Sequence, residues 1–128
     1  MIVGIGMDLT EIKRITKALN RTSMSFVKRM LTDNELSYFQ EIENEKRRME
    51  WLAGRFAAKE AGVKAIGTGF GKQIGLKDLE VKPNHLGKPE FYLSGKVQSL
   101  FSENTIFHLT ITHTEETAAA FVIIESDI

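Results

Sequence analysis

Two carboxylates, Asp8 and Glu60, stand in surroundings that suit a task other than solvation. Asp8 closes the apolar run IVGIGMD (2–8), which is too short for a helix and reads as a buried strand. Side chains alternate along a strand, so Val3, Ile5 and Met7 share one face while Ile2, Gly4, Gly6 and Asp8 share the other. Glycines inside a strand often mark the close approach of a ligand or of another backbone. Here they bare the face that ends in Asp8. Taken alone, the stretch favours a simpler role for Asp8, as N-cap of the helix that follows, because Asp is a preferred cap.

Glu60 changes that balance. The longest helical stretch runs from about Asn44 to Ile66, rich in Ala, Glu, Lys, Arg and Leu, and ends at Gly67, the residue type favoured just past a helix. At roughly 100° per residue, Met49, Leu52, Ala53, Phe56 and Val63 form one apolar stripe. Glu60 falls inside it, within roughly 40° of Phe56 on an ideal helix. Lys64, one turn onward, offers an i,i+4 partner. Such pairs belong mostly to solvated faces, whereas a carboxylate on the core side must be paired, hold a metal or take up a proton. Two converging carboxylates suit magnesium, which takes one or two protein carboxylates and fills its shell with water and phosphate oxygens. Zinc fits less well, since His85, His108 and His113 show no ligand spacing with them.

Basic residues surround the helical acid. Arg55, Lys59 and Lys64 lie on successive turns, and the glycine-rich loop GTGFGKQIG (67–75) follows, with backbone N–H groups free to approach an anion. For Lys59 a solvated position is the better reading. GTGFG is not a dinucleotide fingerprint, because that motif opens a helix and this one closes it. His113 ends a strand in register with Phe107, Leu109 and Ile111, where a lone histidine is more often structural. His108 alternates with Thr110 and Thr112 and faces outward. His85 sits in a turn and is assigned no role.

The elements that must position these residues follow from periodicity. A helix is expected from about Leu9 to Leu19, on the spacing of Leu9, Ile12, Ile15 and Leu19, and a short one over 24–31. Thr32 and Glu35 have the spacing of a capping box. LEVK (79–82) and EFYL (90–93) read as strands around the turn-like PNHLGKP (83–89), with a short helix near 95–102. IFHLTIT (106–112) and TAAAFVIIE (117–125) read as a hairpin joined through HTEE. The class is α+β, with a long central helix and its companions packed on a largely antiparallel sheet, in a single domain over 1–128.

Composition narrows the function. The chain has 128 residues, 42% apolar and 27% charged, the balance of a globular domain. Lys plus Arg and Asp plus Glu both number 17, so there is no basic excess of the kind a general nucleic-acid binder carries. Without cysteine there is no disulfide framework and no thiolate nucleophile. MIVGIGMDLTEIKRI lacks the basic n-region of a signal peptide, and no run approaches the eighteen or so apolar residues of a membrane span. No membrane association and a cytoplasmic location are the default expectations.

Together GIGMDLTEIKRI (4–15), AGRFAAKEAGVKAIGTG (53–69), GKPEFYLSG (87–95) and LTITHTEETAAAFVIIE (109–125) resemble the holo-acyl-carrier-protein synthase family, the small bacterial type of 4′-phosphopantetheinyl transferase. The blocks occur in family order and span nearly the whole chain, with 22–50 matching poorly. The resemblance implies transfer of 4′-phosphopantetheine from coenzyme A to a serine of apo acyl carrier protein, for fatty acid biosynthesis, with adenosine 3′,5′-bisphosphate as the other product. Asp8 and Glu60 match the family's magnesium ligands, and Lys64 joins them at the catalytic centre. Arg55, Lys64, Gly67, Gly87, Lys88, Pro89, Thr112 and His113 match positions that contact coenzyme A, and Arg14 and Arg21 match basic positions that face the carrier protein. It also implies a homotrimer with active sites between subunits; TAAAFVIIE, apolar or small on both faces, agrees. Val63 departs from a position where relatives often carry serine, and Leu86 from one that is more usually polar.

Overall fold

The computed structural model describes residues 1–67 and 74–127; most of the glycine-rich loop expected at 67–75 lies outside them. Strand β1 (Ile2–Glu11) leads into α1 (Ile12–Thr22), α2 (Met24–Met30), α3 (Asp33–Glu41) and the long α4 (Glu45–Ile66). A 3₁₀ turn (Leu76–Asp78) precedes β2 (Leu79–Pro83) and β3 (Pro89–Leu93), then come α5 (Gly95–Gln98), β4 (Ile106–His113) and β5 (Thr117–Glu125). All strand pairs are antiparallel, in a three-stranded sheet ordered β1-β5-β4 and a two-stranded β2-β3 ribbon.

Helix α4 begins where Asn44 caps it, its Oδ1 accepting from Arg47 N–H at 2.9 Å. It ends at Gly67, whose left-handed φ of 90° lets its N–H return to the Val63 carbonyl at 3.0 Å. The expected apolar stripe proves too narrow. Ala57, Ala58, Lys59, Ala61, Gly62 and Ala65 are buried besides Met49, Leu52, Ala53 and Val63, because helices pack on one side of α4 and both sheets on the other. The capping box at Thr32 and Glu35 forms as the spacing demands.

Three expectations need correction. Strand β1 is longer than 2–8 and is not buried on both faces: Ile5, Met7 and Leu9 are 59%, 58% and 67% exposed. Leu9 therefore belongs to the strand and not to the helical stripe. Its apolar character suited either period, and the pairing of Leu9 with Ala119 and of Glu11 with Thr117 decides for strand. The helix near 95–102 is only Gly95–Gln98. Lys59, read as solvated, is fully buried and paired with Glu35, with Nζ to Oε1 at 2.7 Å.

Along the inner face of β1 the glycines bring α4 into backbone contact. A Cβ on Gly6 would overlap the Ala61 carbonyl oxygen and lie 2.7 Å from Ala65 N, and one on Gly4 would overlap the Ala65 carbonyl oxygen. Neither neighbour is a side chain that could turn aside. Gly6→Ala is expected to lower the free energy of unfolding by roughly 2 kcal/mol or more, since strand and helix must separate. Urea denaturation checks this, and an unchanged midpoint would rule out the close approach.

Candidate active site

Asp8 lies within β1, and its cap role does not materialise: the N-cap of α1 is Glu11, which makes no side-chain cap bond. Instead the Asp8 carboxylate is divided between two donors. Thr10 Oγ1 donates to Oδ2 at 2.5 Å, and Lys64 Nζ donates to Oδ1 at 3.1 Å and to the Met7 carbonyl at 3.2 Å. Thr10 follows Asp8 by two residues on the same strand face. The sequence reading missed it by ending the strand at Asp8.

Glu60 is half-buried at the edge of the α4 packing, not inside an apolar stripe. Its expected i,i+4 pair with Lys64 is absent, because the ammonium turns to Asp8. Desolvation, and after it the charge of Asp8, push the Glu60 pKa above the usual carboxylate range; Lys64 and Arg14 pull the other way. The Asp8 charge is therefore felt at Glu60, as are the two cations Lys64 and Arg14. Two carboxylates are the number magnesium commonly takes, and the donor set is all oxygen. Among the described residues no group of three or more His, Cys, Asp or Glu gathers as a transition-metal cage would require. The residues present fit a magnesium ion bound jointly with an anionic ligand.

Arg55 lies elsewhere. Together with Asn34, Glu35, Tyr38, Trp51, Val81, Lys82 and Pro83 it lines a hollow of about 280 Å³. Its guanidinium carbon sits 4.8 Å from the Trp51 ring centre, and Trp51 stacks on Tyr38 at 5.4 Å. Its Nε is buried with no hydrogen-bond partner among the described residues. Burial lowers the Arg55 pKa, while Glu35 and Tyr38 oppose the shift. A planar cation held against the Trp51 ring on the wall of a hollow is suited to a phosphate. Trp51 lies four residues before Arg55 on α4, a spacing the sequence offered and the reading passed over, whereas Tyr38 arrives only through the packing of α3 on α4. Larger hollows beside Asn44 and beside α5, about 420 and 380 Å³, contain none of the candidate residues.

Pro83 leads from that hollow into the turn that carries Gly87, Lys88 and Pro89. Asn84 organises the turn: its Oδ1 accepts from Leu86 N–H at 2.8 Å and Lys88 N–H at 3.1 Å. Gly87 has a φ of +86°, which its lack of a Cβ allows. Leu86 is exposed, and Val63 is buried in the apolar cluster with Ile74, Leu79 and Val97.

Thr112 faces outward on β4, in register with Ala119. His113 pairs with Ala118, itself opposite Thr10, so it stands two strands away from Thr10, about 10 Å. Its Nδ1 lies 3.8 Å from Glu50 Oε2. His108 faces outward as expected and meets Glu125 at 3.0 Å. Arg14 and Arg21 are exposed on α1, two turns apart on one face. Within one chain, then, Lys64 pairs with Asp8, and both, with Arg14, lie within electrostatic reach of Glu60, with Gly67 one turn beyond Lys64. Arg55 stands with the entrance to the 84–88 turn, and His113 stands apart from both.

The family model described as the 4′-phosphopantetheinyl transferase superfamily matches residues 4–122. The holo-[acyl-carrier-protein] synthase of Bacillus subtilis (strain 168) is 46% identical over 98% of this chain and 97% of its own length. Among solved structures, a holo-(acyl-carrier-protein) synthase of Bacillus anthracis, in complex with CoA (3′,5′-ADP), superposes with a TM-score of 0.84 at 42% identity, covering 99% of both chains. The holo-[acyl-carrier-protein] synthase of Neisseria meningitidis does so with a TM-score of 0.88 at 34% identity, over 98% of this chain and all of that one.

A carboxylate whose pKa is raised by folding costs nothing while protonated, at a pH below the unfolded value of about 4.3, and its cost appears as pH rises through the higher folded value. In EDTA at neutral pH, Glu60→Gln is therefore expected to be more stable than the parent chain, by about 0.5 kcal/mol after allowing for solvent screening. The gap should close towards acid pH. Thermal melts across pH test this, and a variant less stable at neutral pH would contradict the electrostatic account.

Proposed function

We propose that this chain, which belongs to the 4′-phosphopantetheinyl transferase superfamily, moves the 4′-phosphopantetheine group of coenzyme A onto a serine of apo acyl carrier protein. What supports the reading is the Lys64–Asp8 pair where β1 crosses α4, within electrostatic reach of Glu60, in a chain similar over nearly its whole length to holo-[acyl-carrier-protein] synthases. The serine Oγ attacks the phosphorus bearing the pantetheine arm. The bond from that phosphorus to the bridging oxygen of the pyrophosphate breaks, and adenosine 3′,5′-bisphosphate leaves. Such a reaction asks for positioning and charge stabilisation, with no protein nucleophile.

Asp8 and Glu60 would hold a magnesium ion on the pyrophosphate, where it supplies Lewis-acid charge and fixes the line of transfer. Lys64 keeps the Asp8 carboxylate oriented and adds positive charge beside the phosphates. The serine proton passes to Glu60 or to a water beside it, since the carboxylate is the general base closest to the proposed metal position. Arg55 offers its guanidinium, from the wall of the hollow, to a phosphate of coenzyme A, and Gly67, Gly87, Lys88, Pro89, Thr112 and His113 line the rest of that substrate. Arg14 and Arg21 meet the acidic surface of the carrier, a contact that speeds encounter and weakens with salt. Holo acyl carrier protein made in the cytoplasm then serves fatty acid synthesis.

These groups are dispersed over one chain, and a homotrimer with shared sites reunites them. What supports the trimer is the outer face of the sheet, where Ile5, Met7 and Leu9 share a surface with Phe121 and none of the described residues covers them. A contiguous apolar patch of this kind marks an interaction surface. Met7→Lys is expected to yield monomers with little activity, while the parent chain runs as a trimer in light scattering. A monomeric parent chain would refute shared sites.

Incubation with coenzyme A, magnesium and apo acyl carrier protein should add one phosphopantetheine to the carrier by mass spectrometry, and EDTA should stop it. Asp8→Ala or Glu60→Ala should reduce transfer at least a thousandfold with the circular dichroism spectrum unchanged. Absence of any mass gain with several carrier proteins defeats the activity, and turnover retained in both variants defeats the metal site.

A further inference from the structure

Among the described residues the only carboxylate lining the Arg55 hollow is that of Glu35, yet it does not pair with Arg55. Its oxygens are already taken. Oε1 accepts from Lys59 Nζ at 2.7 Å and from the Thr32 N–H at 2.9 Å, and Oε2 accepts from the Val81 N–H at 2.7 Å. Lys59 in turn is held by the carbonyls of Leu76 and Leu79, both at 3.0 Å. With side chains 0% and 1% exposed, neither partner can turn to water for an alternative.

Arg55 stands one turn before Lys59 on α4 and faces the same acid from the hollow. A buried carboxylate that lost its ammonium would take the nearest cation able to reach it, and Arg55 has an unpartnered donor. We infer that Lys59 is a positioning residue that keeps Arg55 available: by occupying Glu35 it stops that carboxylate from capturing the guanidinium, which is left for a phosphate group of coenzyme A. Lys59 itself, sealed in the interior, touches no substrate. The inference rests on the reading of Arg55 as a coenzyme A contact.

Two double-mutant cycles test it, with coenzyme A binding measured by calorimetry in magnesium chloride on the full chain. Lys59→Met should weaken binding at least tenfold. In a Glu35→Gln background, where no carboxylate competes, the same substitution should change affinity less than twofold. In an Arg55→Gln background, where there is no guanidinium to capture, it should again add nothing. A purely structural lysine would lower the melting temperature and give the same loss of affinity with or without Arg55. If Lys59→Met does not fold, Lys59→Gln, which retains an N–H donor without the charge, takes its place with the same expected pattern. Affinity unchanged in the lysine variant, or an equal loss in the Arg55→Gln background, overturns the inference while wild-type binding stands. A wild-type chain that binds no coenzyme A overturns the functional reading, and this inference falls with it.

Discussion

Where α4 crosses β1 there are no side chains between the two backbones, and that contact governs the rest of the molecule. Gly4 and Gly6 leave room for the carbonyls of Ala61 and Ala65, so the helix sits a side chain's thickness closer to the sheet than ordinary packing allows. Residues 60 and 64, one turn apart at the edge of this crossing, are thereby carried to Asp8, two residues beyond Gly6 on the same strand face. An alanine at either glycine would move the acid on the strand away from the acid on the helix. The small residues of α4, together with Ala118 and Ala120 on β5, continue the same logic across the sheet.

Adjacent positions on α4 then show two solutions to the problem of charge near a core. Lys59 is sealed in, and it is tolerated because a carboxylate and two carbonyls surround its ammonium; removing one partner of such a pair costs about 3–5 kcal/mol. Glu60 is only half-buried, and among the described residues it forms no ion pair while Asp8 repels it. The first arrangement is satisfied and inert. The second keeps charge that a cation or a proton would relieve, which is the condition expected of a site and not of a scaffold. The same contrast separates Glu35, with both oxygens committed, from Arg55, with a buried donor still free.

Much of this was legible in the residues. The span of α4, its glycine at the C-terminal end, the two glycines of β1 that mark a close approach and the β4–β5 hairpin all follow from period and turn chemistry. Two failures have physical causes. Leu9 continues both a strand and a helix pattern, and only pairing with β5 decides between them, so Thr10 was lost with the strand's end. Thr32 and Glu35 were recognised as a capping box, a device that usually sits at the surface. Nothing local said that the same glutamate also reaches a lysine 24 residues away, and Lys59 was misread for the same reason. Interactions closed within one turn can be read from sequence, whereas those set by how one helix rolls over another require the packing itself.

Register ties the two faces of β1 to one another. With a side-chain period of two, a slip of one residue would put Met7 where Asp8 stands and turn the acid onto the apolar outer face. The nine backbone partners from Ile2 to Glu11 along β5 hold that register, and the pairing of β5 with β4 carries it on to Thr112 and His113. In the proposed trimer, the surface that would meet a neighbouring copy and the carboxylate proposed to hold the metal are alternate residues of one strand. Assembly and catalytic geometry then cannot vary independently: a change that re-registers β1 to improve one necessarily displaces the other. The exposed face of α1 and the 84–88 turn lie outside that constraint. Those are the places through which different carriers or substrates could be accommodated without moving Asp8.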